Sequence, residues 1–172
     1  MLGLSSTQTA TIVLVTVTAS LPCFLYGAWI MIDNDPITWD VLTHHLKFIF
    51  TGLTLTTVPL VLWMAPRLFG LWGYPGQLGG YAIVHAFLGL QAYAMLLFGF
   101  TGIVRIFRAK WEHDLYHDYD EEVLLEEIGN EKMDHWRSRL RIGVFGYVIL
   151  WVFAYLAGVG RYAAKYDLAN LF

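Results

Sequence analysis

The sequence predicts an all-α fold: an integral membrane four-helix bundle with a cytoplasmic amphipathic helical insertion between spans three and four. Three observations predict it. Hydrophobic residues make up 57% of the 172 residues and charged residues only 15%, against about 25% charged in an ordinary soluble domain. Four runs carry no Asp, Glu, Lys or Arg, namely 1–32, 48–65, 78–104 and 142–160. Each approaches or exceeds the ~18 apolar residues that mark a helix crossing a bilayer. Finally, ten of the 14 acidic residues lie between Arg105 and Arg141. Charge is gathered in one module, whereas a soluble bundle would show a charged stripe along every helix. The chain therefore reads as a single membrane domain over 1–172, with spans at about 7–32, 44–65, 78–104 and 142–162 and a module at 105–141.

Span one is rich in hydroxyls (Thr7, Thr9, Thr11, Thr16, Thr18, Ser20). Inside a membrane such groups bond back to their own helix or across to a neighbour. Pro22 removes one backbone donor and is expected to bend the helix. Asp33-Asn34-Asp35-Pro36 is a turn, after which Asp35 or Thr38 is placed to cap the next helix. The segment from Ile37 to Thr43 reads as a short interfacial helix or as the wet start of span two. Pro59 is expected to kink span two, with Thr51, Thr54, Thr56 and Thr57 near enough to satisfy the freed carbonyl. Residues 66–76 form a Pro- and Gly-rich interfacial loop. In span three, Gly89, Gly99 and Gly102 leave flat places for a helix or a flat ligand, and Gln91 needs a partner on a facing helix. Within the module, Val123, Leu124, Leu125, Ile128 and Met133 recur as a helical face that Gly129-Asn130 should interrupt.

Lysines and arginines near the span ends set the orientation. The first and third connections share one side, which holds Lys47 and the seven basic residues of 105–141. The opposite side holds Arg67, Arg161 and Lys165. The expectation is a cytoplasmic module and both termini outside, in the plasma membrane.

Composition also excludes. There is no basic stripe for a nucleic acid. A lone cysteine, Cys23, rules out an intrachain disulfide, a CxxC redox pair and a cysteine zinc site. The uncharged N-terminal run argues against a cleaved signal peptide, so span one is expected to stay. No nucleophile elbow, P-loop or dinucleotide fingerprint is present, so no catalytic residue is assigned.

Histidine is the usual axial ligand of a b-type haem, which four-helix membrane bundles hold between facing helices. The candidate ligands are His44, His45, His85 and His135. His44, His45 and His135 lie near the module side. His85 lies about 19 residues from Val104, roughly 28 Å of helix, so it cannot share an iron with His45. Each has a plainer reading: interfacial hydrated side chains for His44, His45 and His135, and a structural buried histidine for His85. His113 and His117 are spaced for a metal if helical, or form a solvated face. No metal site is assigned.

His85-Ala86-Phe87-Leu88-Gly89 is similar to the His-x-x-x-Gly pattern in spans of cytochrome b561-like proteins. His45 has Gly52 two turns along its own face. The paired histidines of that type are incomplete here. Across most of the chain, FLYGAWIMID, WDVLTHHLKFIFTGLTLTTVP, VHAFLGLQAYA, GIVRIF and RLRIGVFGYVILW together resemble a domain-of-unknown-function family of four-span membrane proteins from halophilic archaea. That resemblance implies an archaeal plasma membrane and association with a respiratory, quinol-oxidising cytochrome bc-type system. It implies no catalytic residue. The leading expectation is thus a small membrane subunit or assembly partner of such a complex, its partners being the bilayer and other respiratory-complex membrane subunits. The alternatives are a b-type haem electron-transfer protein and a small transporter.

Overall fold

The computed structural model of the protein describes residues 5–70 and 80–166. Four helices are long and apolar enough to cross a membrane. Helix α1 covers Ser6–Asp33 and α2 covers Trp39–Pro59. Helix α2 continues through a π-helical turn, Leu60–Met64, into the short α3, Ala65–Phe69. Helix α4 covers Gly80–Asp114 and α6 covers Met133–Tyr166, with the short α5, Leu125–Gly129, between them. Among the described residues there is no strand, only one antiparallel bridge between Thr38 and Leu124.

Local chemistry explains the ends. Ser5 and Gln8 form a reciprocal capping box at the start of α1, with Ser5 N–H donating to Gln8 Oε1 at 2.9 Å and Gln8 N–H to Ser5 Oγ at 3.2 Å. Thr38 caps α2 by accepting from Val41 N–H at 3.4 Å. Trp39 already lies within α2, so the segment from Ile37 to Thr43 is the beginning of span two. The wide π turn follows Pro59 directly, the usual relaxation where a proline breaks the helical ladder. The threonines around Pro59 bond to other carbonyls: Thr51 to Lys47, Thr54 to Phe50, and Thr56 to Gly52 and Leu53. The predicted loop at 66–76 begins as helix α3, and its part from 71 onward lies outside the described residues, as do 78–79 of span three.

The four long helices form two tight hairpins, α1 with α2 and α4 with α6, which touch each other more sparsely. Glycine sets both. A Cβ on Gly27 would stand 2.9 Å from Ile49 Cδ1, and one on Gly52 would stand 2.6 Å from Phe24 Cε1. In the second hairpin, a Cβ on Gly143 would lie 2.5 Å from Gly99 Cα, and one on Gly102 would lie 2.7 Å from the Trp136 carbonyl. Within a bilayer lipid supplies no hydrophobic drive between helices, and close backbone approach of this kind favours their pairing.

Between hairpins the contacts are longer and made by side chains. Tyr162 meets Thr11 at 2.7 Å, Tyr155 meets Thr18 at 3.0 Å, and Tyr93 meets Thr57 at 2.7 Å, all hydroxyl to hydroxyl. The Tyr166 hydroxyl donates to the Ser6 carbonyl at 3.3 Å. Phe24 packs edge-on against Tyr147 and Trp151. The span-one hydroxyls thus do both things expected of them, since Thr16 and Ser20 bond only within their own helix.

At one end a second core joins the hairpins. Trp39 and Leu42 of α2 pack with Ile103, Ile106 and Ala109 of α4 and with Val123, Leu125, Ile128 and Met133. Backbone bonds fasten the same junction: Trp39 N–H to Val123 O (3.0 Å), Asp40 N–H to Glu121 O (2.9 Å) and Leu125 N–H to Ile37 O (3.3 Å). The module folds back on the α1–α2 connection. Much of it is the extended ends of the spanning helices, α4 running ten residues beyond Val104 and α6 starting nine before Ile142. The expected amphipathic face of 123–133 is present, but it is carried by the short α5 and the 3-10 turn Asn130–Lys132 leading into α6.

Candidate functional site

His45 is the most tightly held of the four candidate haem ligands. Its Nδ1 lies 2.7 Å from the Gly27 carbonyl of α1, so Nδ1 carries the proton and donates, and Nε2 keeps its lone pair. The notch at Gly52 on the same helix is filled by the Phe24 ring. His44 is exposed, with its ring edge-on to Phe48 at 5.5 Å. His135 is exposed at the start of α6. The His85 ring lies against Gly158 of α6, where a Cβ would approach Nε2 to 3.2 Å. Gly89, one turn along from His85, has open space in front of it. Among the described residues, no hydrogen bond or ring contact joins any two of these four imidazoles. Gln91 is exposed and makes no side-chain hydrogen bond to a facing helix there.

His113 and His117 stack face to face, with centroids 4.2 Å apart and planes 14° apart. Helix α4 ends at Asp114, and His117 turns back so that its Nδ1 donates to the His113 carbonyl at 3.0 Å. Stacked rings aim their nitrogens past each other. Among the described residues no group of three or more His, Cys, Asp or Glu side chains is arranged to hold a metal ion.

The densest polar arrangement outside the spans is built on Lys110, which is 3% exposed. It lies beyond the apolar run that ends at Val104. Its ammonium donates to Asp114 Oδ1 and stands over the rings of Tyr119 (4.6 Å) and Trp39 (5.7 Å). A buried ammonium needs such compensation from a carboxylate and from ring faces. The hydrogen bond from Lys110 holds the Asp114 carboxyl below the ordinary carboxylate range, and burial opposes this only in part. Arg108–Glu112 (2.9 Å) and Arg137–Glu126 (3.1 Å) are further ion pairs of the module. Sequence reading counted Arg108, Lys110 and Arg137 only among the seven basic residues of the module. An i,i+4 Lys–Asp pair is visible at 110 and 114, but its burial depends on Trp39, which no local pattern links to it.

A second unforeseen feature is the tyrosine row of α6. Tyr155, Tyr162 and Tyr166 each bond to α1. Tyr147 continues the row inward and is 5% exposed. Its hydroxyl has no hydrogen-bond partner among the described residues, although Thr56 lies close by. Spacings of eight, seven and four residues put these phenols on one helical face, a signal present in the sequence.

The family model described as Domain of unknown function (DUF7321) matches residues 6–167. The chain belongs to that family. The match covers all four long helices of this DUF7321 protein and its module. No curated protein and no solved structure matches it.

Proposed function

We propose that this DUF7321 protein is a small integral membrane subunit, or assembly partner, of a respiratory quinol-oxidising electron-transfer complex of the cytochrome bc type, without catalysis of its own. One observation carries the docking part of this reading. No span buries more than 22% of its apolar window inside the chain. Leu25, Ile32, Phe87, Leu97, Phe145 and Phe153 all stand outward, so spans of a larger assembly find broad faces to pack on. The electron-transfer part is supported by the resemblance of FLYGAWIMID, VHAFLGLQAYA and RLRIGVFGYVILW to four-span proteins of halophilic archaea. The orientation belongs to the same proposal: module cytoplasmic, termini outside, in an archaeal plasma membrane. The excess of Lys and Arg at the module end supports it. Purification of the tagged chain from its native membranes in mild detergent tests the proposal. It predicts co-purification with cytochrome b and Rieske-type subunits. Migration as a solitary species on a native gel rejects it.

A second reading, a b-type haem electron-transfer protein, is favoured by the orientation of His45. A ligating histidine almost always donates its other ring N–H to a carbonyl or carboxylate, and the Gly27 carbonyl plays that part here. The Phe24 ring in the Gly52 notch counts against it. A Soret band and a sharp reduced α-band in the purified protein support this reading, and a colourless preparation rejects it.

A further inference from the structure

The outward face of α4 stays apolar past the point where its uncharged run stops. Leu97, Phe100, Val104, Phe107 and Trp111 are all exposed. At about 100° per residue they fall within roughly 80° of one another around the helix axis. Leu115 directly follows the helix end and is 62% exposed. Backbone bonds from Tyr116 and His117 to the His113 carbonyl carry the helical turn through it. The six side chains therefore form one continuous stripe, set apart from the side on which Ile103, Ile106 and Ala109 enter the core. The outer end of the stripe has no cover. A bilayer that takes up the run ending at Val104 has a headgroup layer only about 5–8 Å deep on each side. Trp111 lies seven residues past Val104 and Leu115 eleven, or about 10 Å and 16 Å along the axis. Both stand clear of that layer, and Trp111 is 67% exposed. Apolar side chains grouped in this way outside lipid mark a protein-interaction surface.

Charge narrows what fits there. Lys110 stands over the Tyr119 ring. Glu121 and Val123 accept backbone bonds from Asp40 and Trp39, and the Trp39 ring packs on Phe107. Residues 118–122 thus run along one edge of the stripe. Their carboxylates, on Asp118, Asp120, Glu121 and Glu122, are exposed and form no ion pair among the described residues. From Trp111 to Glu131 the chain has nine Asp and Glu and no Lys or Arg, so it supplies no cation of its own to this edge. A second copy, related by an axis along the membrane normal, would set these carboxylates against their own kind. A spanning helix of another protein brings the opposite charge, because lysine and arginine gather where spans leave the membrane on the cytoplasmic side, the side proposed for the module.

We infer that the stripe from Leu97 to Leu115 docks a membrane-spanning helix of a partner protein, whose extension past the membrane carries lysine and arginine against Asp118, Asp120, Glu121 and Glu122. This rests on the subunit reading but not on the partner's being respiratory. The photo-cross-linking residue p-benzoylphenylalanine, in place of Trp111, Leu115 or (within the span) the exposed Phe145, is activated in the full chain in its native membranes, and the products are mapped by mass spectrometry. The expected result is a cross-link from 111 and 115 to a Lys- and Arg-bearing segment that adjoins a span of another protein. Most of it should be lost when Asp118→Asn, Asp120→Asn, Glu121→Gln and Glu122→Gln are combined. A cross-link to a second copy of this chain, to lipid alone, or to a segment without lysine and arginine overturns the inference, as does an undiminished yield in the quadruple variant. Should that variant not fold, the yield from 111 with the acidic residues intact is measured at raised salt; a lower yield supports the site and an unchanged one rejects it. A cross-link to another protein from 145 but none from 111 or 115 overturns the inference and leaves the subunit reading standing. None from any of the three overturns both.

Discussion

Replacing Gly143 by alanine should separate the α4–α6 hairpin, whereas the same change at Gly99 should be tolerated. The two glycines face each other, but not symmetrically. A Cβ on Gly143 would lie 2.5 Å from both Cα and N of Gly99 and 2.9 Å from the Met95 carbonyl. All three are backbone atoms that no rotamer can move. A Cβ on Gly99 would meet the Gly143 Cα at 3.4 Å, close to ordinary contact. Comfortable carbon–carbon separation is about 3.5–4.0 Å, so Gly143→Ala forces the helices apart by roughly 1 Å. Overpacking of that kind costs about 1–3 kcal/mol. Alanine returns up to about 1 kcal/mol of helix propensity, less where the unfolded reference in detergent is already helical. The net expectation is a loss of about 1–2 kcal/mol for Gly143→Ala and a change within about 0.5 kcal/mol for Gly99→Ala. Reversible unfolding by SDS in mixed micelles, followed by tryptophan fluorescence, measures both. Equal stability of Gly143→Ala and wild type, or a larger loss for Gly99→Ala, would refute the close-approach argument.

Other consequences are open to measurement. Tyr155→Phe and Tyr162→Phe each remove a bond to α1 and should cost about 0.6 kcal/mol apiece; Tyr147→Phe, which removes a buried hydroxyl with no hydrogen-bond partner among the described residues, should be neutral or stabilising in the same assay. Trp39→Ala should destabilise by about 3 kcal/mol or more and speed limited proteolysis within 115–122, because Trp39 sits in the core that fastens the module. Acidification has a definite sign. The Asp114 carboxyl is lowered in the folded state, so its contribution is present above the unfolded carboxylate value of 3.8 and lost as pH falls through the folded value. Thermal midpoints should therefore drop below about pH 4, and that drop should be smaller in Asp114→Asn.

The spans were legible because excluding charge is a one-dimensional signal. Their ends were not, since hydropathy marks where lipid stops and not where the helix does. Helix α4 runs on to Asp114 because Ile106 and Ala109 still have a core to enter beyond the apolar run that ends at Val104. That core exists only when Trp39 meets Val123, a pairing across more than eighty residues with no local signature. The capping box at Ser5 and Gln8 and the tyrosine spacing in α6 could have been read from the sequence. The histidines show the limit most clearly. Their depth followed from counting residues, but their direction did not: His45 turns to a carbonyl of α1, and His85 lies on a glycine of α6. Both depend on which hairpin packs where.

The account stands on four membrane crossings that bring the 34–38 turn and the 115–132 segment to one face. Single cysteines introduced at Asp35, Asp118, Phe69 and Ala164 in a Cys23→Ser background, probed in sealed oriented vesicles with a membrane-impermeant maleimide, test this directly. Positions 35 and 118 should label from one side, and positions 69 and 164 from the other. Labelling of 35 and 118 from opposite sides, or of all four from both sides of intact vesicles, would contradict it.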